Sequence, residues 1–186
     1  RWAMNNLPDG VQRPFAMSFL TTALGVSRDL FAAGAILVNK QGKRFCDEQA
    51  QPAAEVTKQP DRLAYVLLDG ELARRFTAWP NFVSTAPGIA YAYLQDYRRN
   101  RKDIFHEAPD IGRLATKLRL PPDALAQSAR SLAAGGPYIA LGPIKSYVVF
   151  TEGGISVTER LQVVGPVGEV IPGLFAAGST GQGGLL

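Results

Sequence analysis

The sequence predicts an α+β fold, and three observations carry that expectation. AILVN (35–39), a KQGK turn and RFCDE (44–48) read as a β-hairpin, and AYVLLDG (64–70) reads as a buried strand closed by an Asp-Gly turn. APDIGRLATKLRL and PPDALAQSARSLA carry apolar residues at helical spacing, with Ile111, Leu114 and Leu118 on one face. The remainder, from YIALGPIKSYVVF (138–150) through TEGGISV, RLQVV, a GPVG turn, EVIPG and LFAAG, is rich in β-formers and turns. Hairpin, strand, helices and then strands is the order of a mixed domain, not of strict β-α alternation.

The elements between these are less sharply marked. Residues 1–33 mix apolar pieces with Pro8, Gly10, Pro14 and Gly25 and have no clear period, so they read as mostly irregular, with room for a short helix near 16–24. QAQPAAEVTKQP (49–60) is polar and broken by Pro52 and Pro60, the mark of a connection. A helix over about 70–77 follows the buried strand and carries Arg74 and Arg75, and an aromatic-rich helix is expected over 86–98 after Pro87. The proline pair before Asp123 opens the second of two helices that should form a hairpin.

With 186 residues and 46% hydrophobic content, the chain can bury one full core and leave a second small lobe. No stretch approaches the roughly 20 apolar residues of a membrane span, and RWAMNNLPDG is not a secretory leader. A cytoplasmic protein with no membrane span is therefore expected. One cysteine, Cys46, excludes an intrachain disulfide framework, and one histidine, His106, argues against a His-rich metal site, so no metal is expected. The net charge of +4 is scattered apart from Arg98, Arg99, Arg101 and Lys102, and no nucleic-acid motif accompanies that run. Arg1 at the start and GQGGLL at the end read as cuts in a longer chain.

Four stretches along the chain resemble the fumarate reductase/succinate dehydrogenase flavoprotein family, which includes ketosteroid dehydrogenase-like members. GAILVNKQGKRFCDE (34–48) is similar to the family's G-x-I-L-V-N-x-x-G-x-R-F-x-x-E hairpin. TEGGISV and QVVGPVGEVIPGLFAAGSTGQGG (within 151–184) are similar to its T-x-G-G strand, Q-V turn and I-P-G-L-[YF]-A-A-G motif. Between them, AYVLLDGELARR resembles the strand and helix that present an arginine, and APDIGRLATKLRLPPDAL the D-T-x-x-E-L-A helix. The resemblance implies a C-terminal fragment with a connection from the FAD domain (1–33), a capping substrate domain (34–145), and strands returning into the FAD-binding domain (146–186). It also implies FAD as cofactor, a small-molecule substrate, and the missing N-terminal part of the same protein as partner.

For FAD, the resemblance points to Gly153, Gly154, Ala177, Gly178, Ser179, Thr180, Gly181, Gly183 and Gly184. Glycine has no Cβ to block a flat ligand's approach to the backbone, and Ser179 and Thr180 could cap a following helix. The acidic residue usual after the A-A-G is Ser179 here, which still hydrogen-bonds a hydroxyl. The G-x-G-x-x-G pyrophosphate turn is absent from all 186 residues, so this stretch by itself should bind FAD poorly or not at all.

For chemistry, the family moves a hydride between flavin and one carbon of a C–C bond while an arginine, helped by a glutamate, handles the proton on its neighbour. Glu48 matches the glutamate, and Arg74, with Arg75 as rival, lies near the arginine's place. Such an arginine needs a desolvated setting beside carboxylates. The histidine that dicarboxylate reductases of the group place before T-x-G-G is replaced by Val149 and Phe150, and an apolar pair cannot grip a carboxylate. The expected function is hydride transfer with a CH–CH bond of an organic acid, ketone or steroid-like substrate other than fumarate, and the fragment alone should be inactive. The alternatives are a non-catalytic binding or assembly module that keeps the fold, and a redox-neutral isomerase.

Overall fold

The computed structural model describes residues 13, 14, 17, 18, 20–22, 24–86, 90–147 and 154–181. Two compact units divide the chain, Arg1–Ser146 and Tyr147–Leu186.

The first unit is built on a four-stranded antiparallel sheet. Its strands are β1 (Ile36–Asn39), β2 (Ala64–Leu68), β5 (Phe105–Ala108) and β6 (Tyr138–Ile144), in spatial order β1-β2-β6-β5. Every residue of β1 and β2 is buried, so both faces of these strands are covered, which explains their unbroken apolar runs. Register follows from Ile36 opposite Leu67 and Leu67 opposite Ala140. A bulge interrupts the β2–β6 ladder between Ala64 and Val66. Gly142 faces it, and a Cβ there would lie 2.6 Å from the Tyr65 ring and 2.9 Å from the Ala64 carbonyl, so only glycine fits.

Helices surround the sheet: α1 (Arg28–Ala32), α2 (Pro52–Val56), α3 (Gly70–Arg75), α4 (Leu94–Asn100), α5 (Ile111–Leu118) and α6 (Pro122–Ser128). Each start has a local cause. Ser27, Asp69 and Asp110 accept the Leu30, Leu72 and Arg113 amides as N-caps, and prolines open α2 and α6. Leu114, Ala115 and Leu118 of α5 turn inward, and Arg119 closes that helix in the left-handed region at φ 55°. A ribbon of β3 (Ser84–Ala86) and β4 (Ala90–Ala92) joins α3 to α4, held by a 2.7 Å hydrogen bond between the Ser84 and Tyr97 hydroxyls.

The second unit contains β7 (Gln162–Val164) paired antiparallel with β8 (Val170–Phe175), then a 3-10 turn over Gly178–Gly181. All of β8 is exposed. Among the described residues no helix is long and apolar enough to cross a membrane.

Several sequence expectations change. The hairpin's second arm is not a strand, since only Val38 and Arg44 bridge before the chain turns away. The Glu48 side chain takes the Leu37 amide that a strand would have taken. The helix expected over 86–98 begins at Leu94, because Ser84–Ala86 and Ala90–Ala92 pair as the ribbon, and Pro87 lies outside the described residues. His106, expected at the surface in a polar segment between helices, is a strand residue of β5, half-buried, with Nε2 2.9 Å from the Gly142 carbonyl.

Candidate functional site

A cleft of about 380 Å³ opens in the first unit between α1 and α2. Val26, Phe31, Pro52 and neighbouring alanines give it apolar walls, and Arg28, Glu48 and Gln51 supply its polar groups. Few polar groups on an apolar surface is the usual make-up of a small-molecule site.

Local structure fixes these groups. The Ser27 hydroxyl accepts from the Leu30 amide and donates to the Phe82 carbonyl at 2.9 Å, anchoring the turn that carries Arg28. Pro52 starts α2 directly after Gln51. Glu48 is 3% exposed, and its Oε1 accepts from the Leu37 amide and from Arg44 Nε, both at 2.9 Å, while Oε2 accepts from Arg44 Nη2 at 2.6 Å. The fork-to-carboxylate pair raises the Arg44 pKa further and leaves Glu48 almost no rotational freedom. Burial, reinforced by Glu48 and Glu55, pushes the neighbouring Cys46 thiol up to about 11, which removes it as a nucleophile at neutral pH.

Arg74 is elsewhere. It is exposed on α3 and is not among the residues lining the cleft, and no carboxylate pairs with it or with Arg75 among the described residues. Arg28 is the cation the cleft does hold. Reasoning from sequence missed it because residues 1–33 lack a period, although Ser27 followed by a short apolar segment and Gly34 carries an N-cap signal.

In the second unit, the loop after β8 presents open backbone. Gly178 has φ +62° and nothing stands within 4 Å of where its Cβ would be. Ala177, Gly178 and Thr180 are exposed, as is Gly154. Gly181 is buried, and a Cβ there would collide with the Ala176 carbonyl at 2.7 Å, so it keeps the turn tight. The Thr180 carbonyl accepts from the Ile155 amide at 2.8 Å and ties the loop to its neighbour. An open, glycine-shaped backbone of this kind fits the approach of a flat cofactor. Gly153, Gly183, Gly184 and the Ser179 side chain lie outside the described residues.

Comparison with known proteins follows the same line. A family model described as an FAD binding domain matches residues 11–185. An NADH:acrylate oxidoreductase from Vibrio harveyi is 28% identical over 170 residues, which cover 80% of this chain and 16% of the relative. A flavocytochrome c3 fumarate reductase in its open conformation superposes with a TM-score of 0.59 at 21% identity, over 86% of this chain and 29% of that one. A 3-ketosteroid delta1-dehydrogenase from Sterolibacterium denitrificans gives 0.52 at 18%, over 80% of this chain and 33% of that one. A 3-ketosteroid-delta4-(5alpha)-dehydrogenase from Rhodococcus jostii RHA1 gives 0.51 at 23%, over 87% and 35%. At these identities the solved structures speak for the fold, and the chain spans about a third or less of each relative's length.

Proposed function

We propose a flavin-dependent redox function from one premise: this chain belongs to the FAD binding domain family. In this reading it is part of an FAD-dependent oxidoreductase acting on the CH–CH bond of an organic acid or ketone. The first unit serves as the capping substrate domain, and the second supplies flavin-side contacts. FAD, when bound, supplies the hydride acceptor or donor.

The observation that carries the reading is the Arg28–Glu48 cleft. Its walls suit a carbon skeleton, and Arg28, with no ion-pair partner among the described residues, suits one carboxylate or carbonyl oxygen. A single unpaired arginine favours a monoanion over a dicarboxylate, in line with the apolar Val149 and Phe150 and with the acrylate in the Vibrio harveyi relative's name. Glu48, locked by Leu37 and Arg44, forms a fixed part of the cleft floor. In the second unit, Gly178 and Thr180 would offer backbone to the flavin, with Gly154, Ala177 and Ser179 and, beyond the described residues, Gly153, Gly183 and Gly184, while buried Gly181 would hold that backbone in its turn.

Glu48 with Arg74 or Arg75 as the proton-handling pair is the finer form of this proposal. The exposure of both arginines and the engagement of Glu48 by Arg44 favour the second reading, a binding module that keeps the fold without the chemistry.

The deciding experiment uses the full-length protein. Bound flavin is reduced anaerobically and mixed with a panel of α,β-unsaturated monocarboxylates, dicarboxylates, ketones and steroids. Reoxidation by a monocarboxylate or ketone supports the oxidoreductase. A protein that takes up no flavin, or whose reduced flavin none of the panel reoxidises, leaves the binding module.

A further inference from the structure

We propose that a second cleft, between the β1 turn and the end of α6, is a binding site for a phosphomonoester of a small polyol. The cleft measures about 610 Å³ and is lined by Lys43, Arg44, Gln127, Ser128, Arg130 and Ser131 together with one alanine. Among the described residues no carboxylate lines it.

The floor is rigid. Gly42, at φ +72°, presses on α6 so closely that a Cβ would lie 3.0 Å from the Leu125 amide nitrogen. The Ser128 hydroxyl then clamps the turn, donating to the Gly42 carbonyl at 2.8 Å and accepting from the Arg44 amide at 3.0 Å. Asn39 holds the other side of the turn through its side-chain oxygen, which accepts the Gln41 and Lys43 amides. The backbones carrying Lys43 and Arg44 are therefore fixed before any ligand arrives, which lowers the ordering cost of binding.

Charge and chemistry select the ligand. Glu48 neutralises Arg44, leaving the charges of Lys43 and Arg130, both exposed and neither ion-paired among the described residues. Two uncompensated cations match a phosphomonoester, which carries a charge of about −1.5 to −2 near neutral pH. Gln127 and Ser131, also exposed, offer an amide and a hydroxyl to the alcohol part. Among the described residues no aromatic side chain lines the cleft, so a nucleobase has none of them to stack on. The competing explanation is that Lys43 and Arg130 only complement the negative C-terminal end of α6.

The test is calorimetric titration of the full-length protein at low salt with glycerol phosphate, with methyl sulfate and glycerol as monoanionic and neutral controls. Saturable binding of glycerol phosphate is expected, at least about tenfold tighter than methyl sulfate and weakened at least about tenfold in Lys43→Gln and in Arg130→Gln. Both side chains are exposed, so neither variant should disturb folding, and Lys102→Glu, a charge change outside the cleft, should leave the affinity unchanged. Dissociation constants weaker than about 10 mM, or affinity that follows Lys102→Glu as closely as the two glutamine variants, would overturn the proposal.

Discussion

Glu48 receives three hydrogen bonds while almost wholly shielded from water, and that engagement sets what its loss would do. Glu48→Ala orphans the buried Leu37 amide but frees Arg44, which is 46% exposed, to return to solvent. The cost is then mainly one unsatisfied amide and a small cavity, about 2–3 kcal/mol, or a melting temperature lower by about 5–10 °C. Glu48→Gln retains an acceptor for Leu37 and should lose less than half as much in the same melting experiment. Arg28 carries no such structural duty. Arg28→Ala should leave the melting temperature within about 2 °C and, if the cleft holds substrate, raise KM for an anionic substrate about tenfold with little change in kcat. A fall in kcat with KM unchanged would argue against Arg28 as a substrate anchor. Cys46 gives a check by pH. Its raised pKa means alkylation at neutral pH should run far slower than for an unhindered thiol and accelerate until the pH nears about 11. The folded state holds this proton more tightly than the unfolded one. Its contribution to stability is thus present below pH 9.0 and is lost as pH rises to about 11.

At the scale of elements, Asp69 does two things that no local pattern announces together. Its Oδ1 caps α3 at Leu72 and its Oδ2 accepts from the Ala133 amide at 2.8 Å, so one carboxylate joins a helix start to a loop 64 residues away. Asp69→Ala should cost about 2–3 kcal/mol, while Asp69→Ser should restore the cap and recover about 1 kcal/mol of it, read from denaturant midpoints. Half of that device was legible. Asp-Gly after an apolar run announced the end of β2 and the start of α3, whereas the Ala133 contact exists only once the fold forms. The same division runs through the chain. β2, α5, α6 and the β7–β8 pair could be read because their apolar spacing and punctuating glycines and prolines act locally. The second hairpin arm could not, because a side chain from Glu48 replaced a backbone partner. The helix over 86–98 failed from the other direction, since Tyr91 and its neighbours satisfy either period and pairing with Ser84–Ala86 decides between them. Arg28 escaped for want of periodicity around it, and Gly178 could be read as a turn residue because its positive φ demands the residue type the sequence displays.

At the scale of the molecule, the two units have unequal means of standing alone. The first wraps helices around a four-stranded sheet whose strands β1 and β2 are buried on both faces, and its core takes in residues from Leu30 to Leu141. The second, Tyr147–Leu186, offers among its described residues a two-stranded ribbon in which β8 is exposed along its whole length, with Leu174 47% and Phe175 62% accessible. A single ribbon of two strands buries too little apolar surface to offset the entropy of ordering its chain. Residues 1–146 expressed alone should therefore show one cooperative unfolding transition and a well-dispersed amide spectrum. Residues 147–186 alone should show a collapsed, poorly dispersed spectrum and no transition, and the exposed Val170, Ile171, Leu174 and Phe175 should make that peptide prone to self-association. If the peptide instead gave a dispersed spectrum with protected amides at Ala176 and Ile155, β8 would be stable through its own turn chemistry.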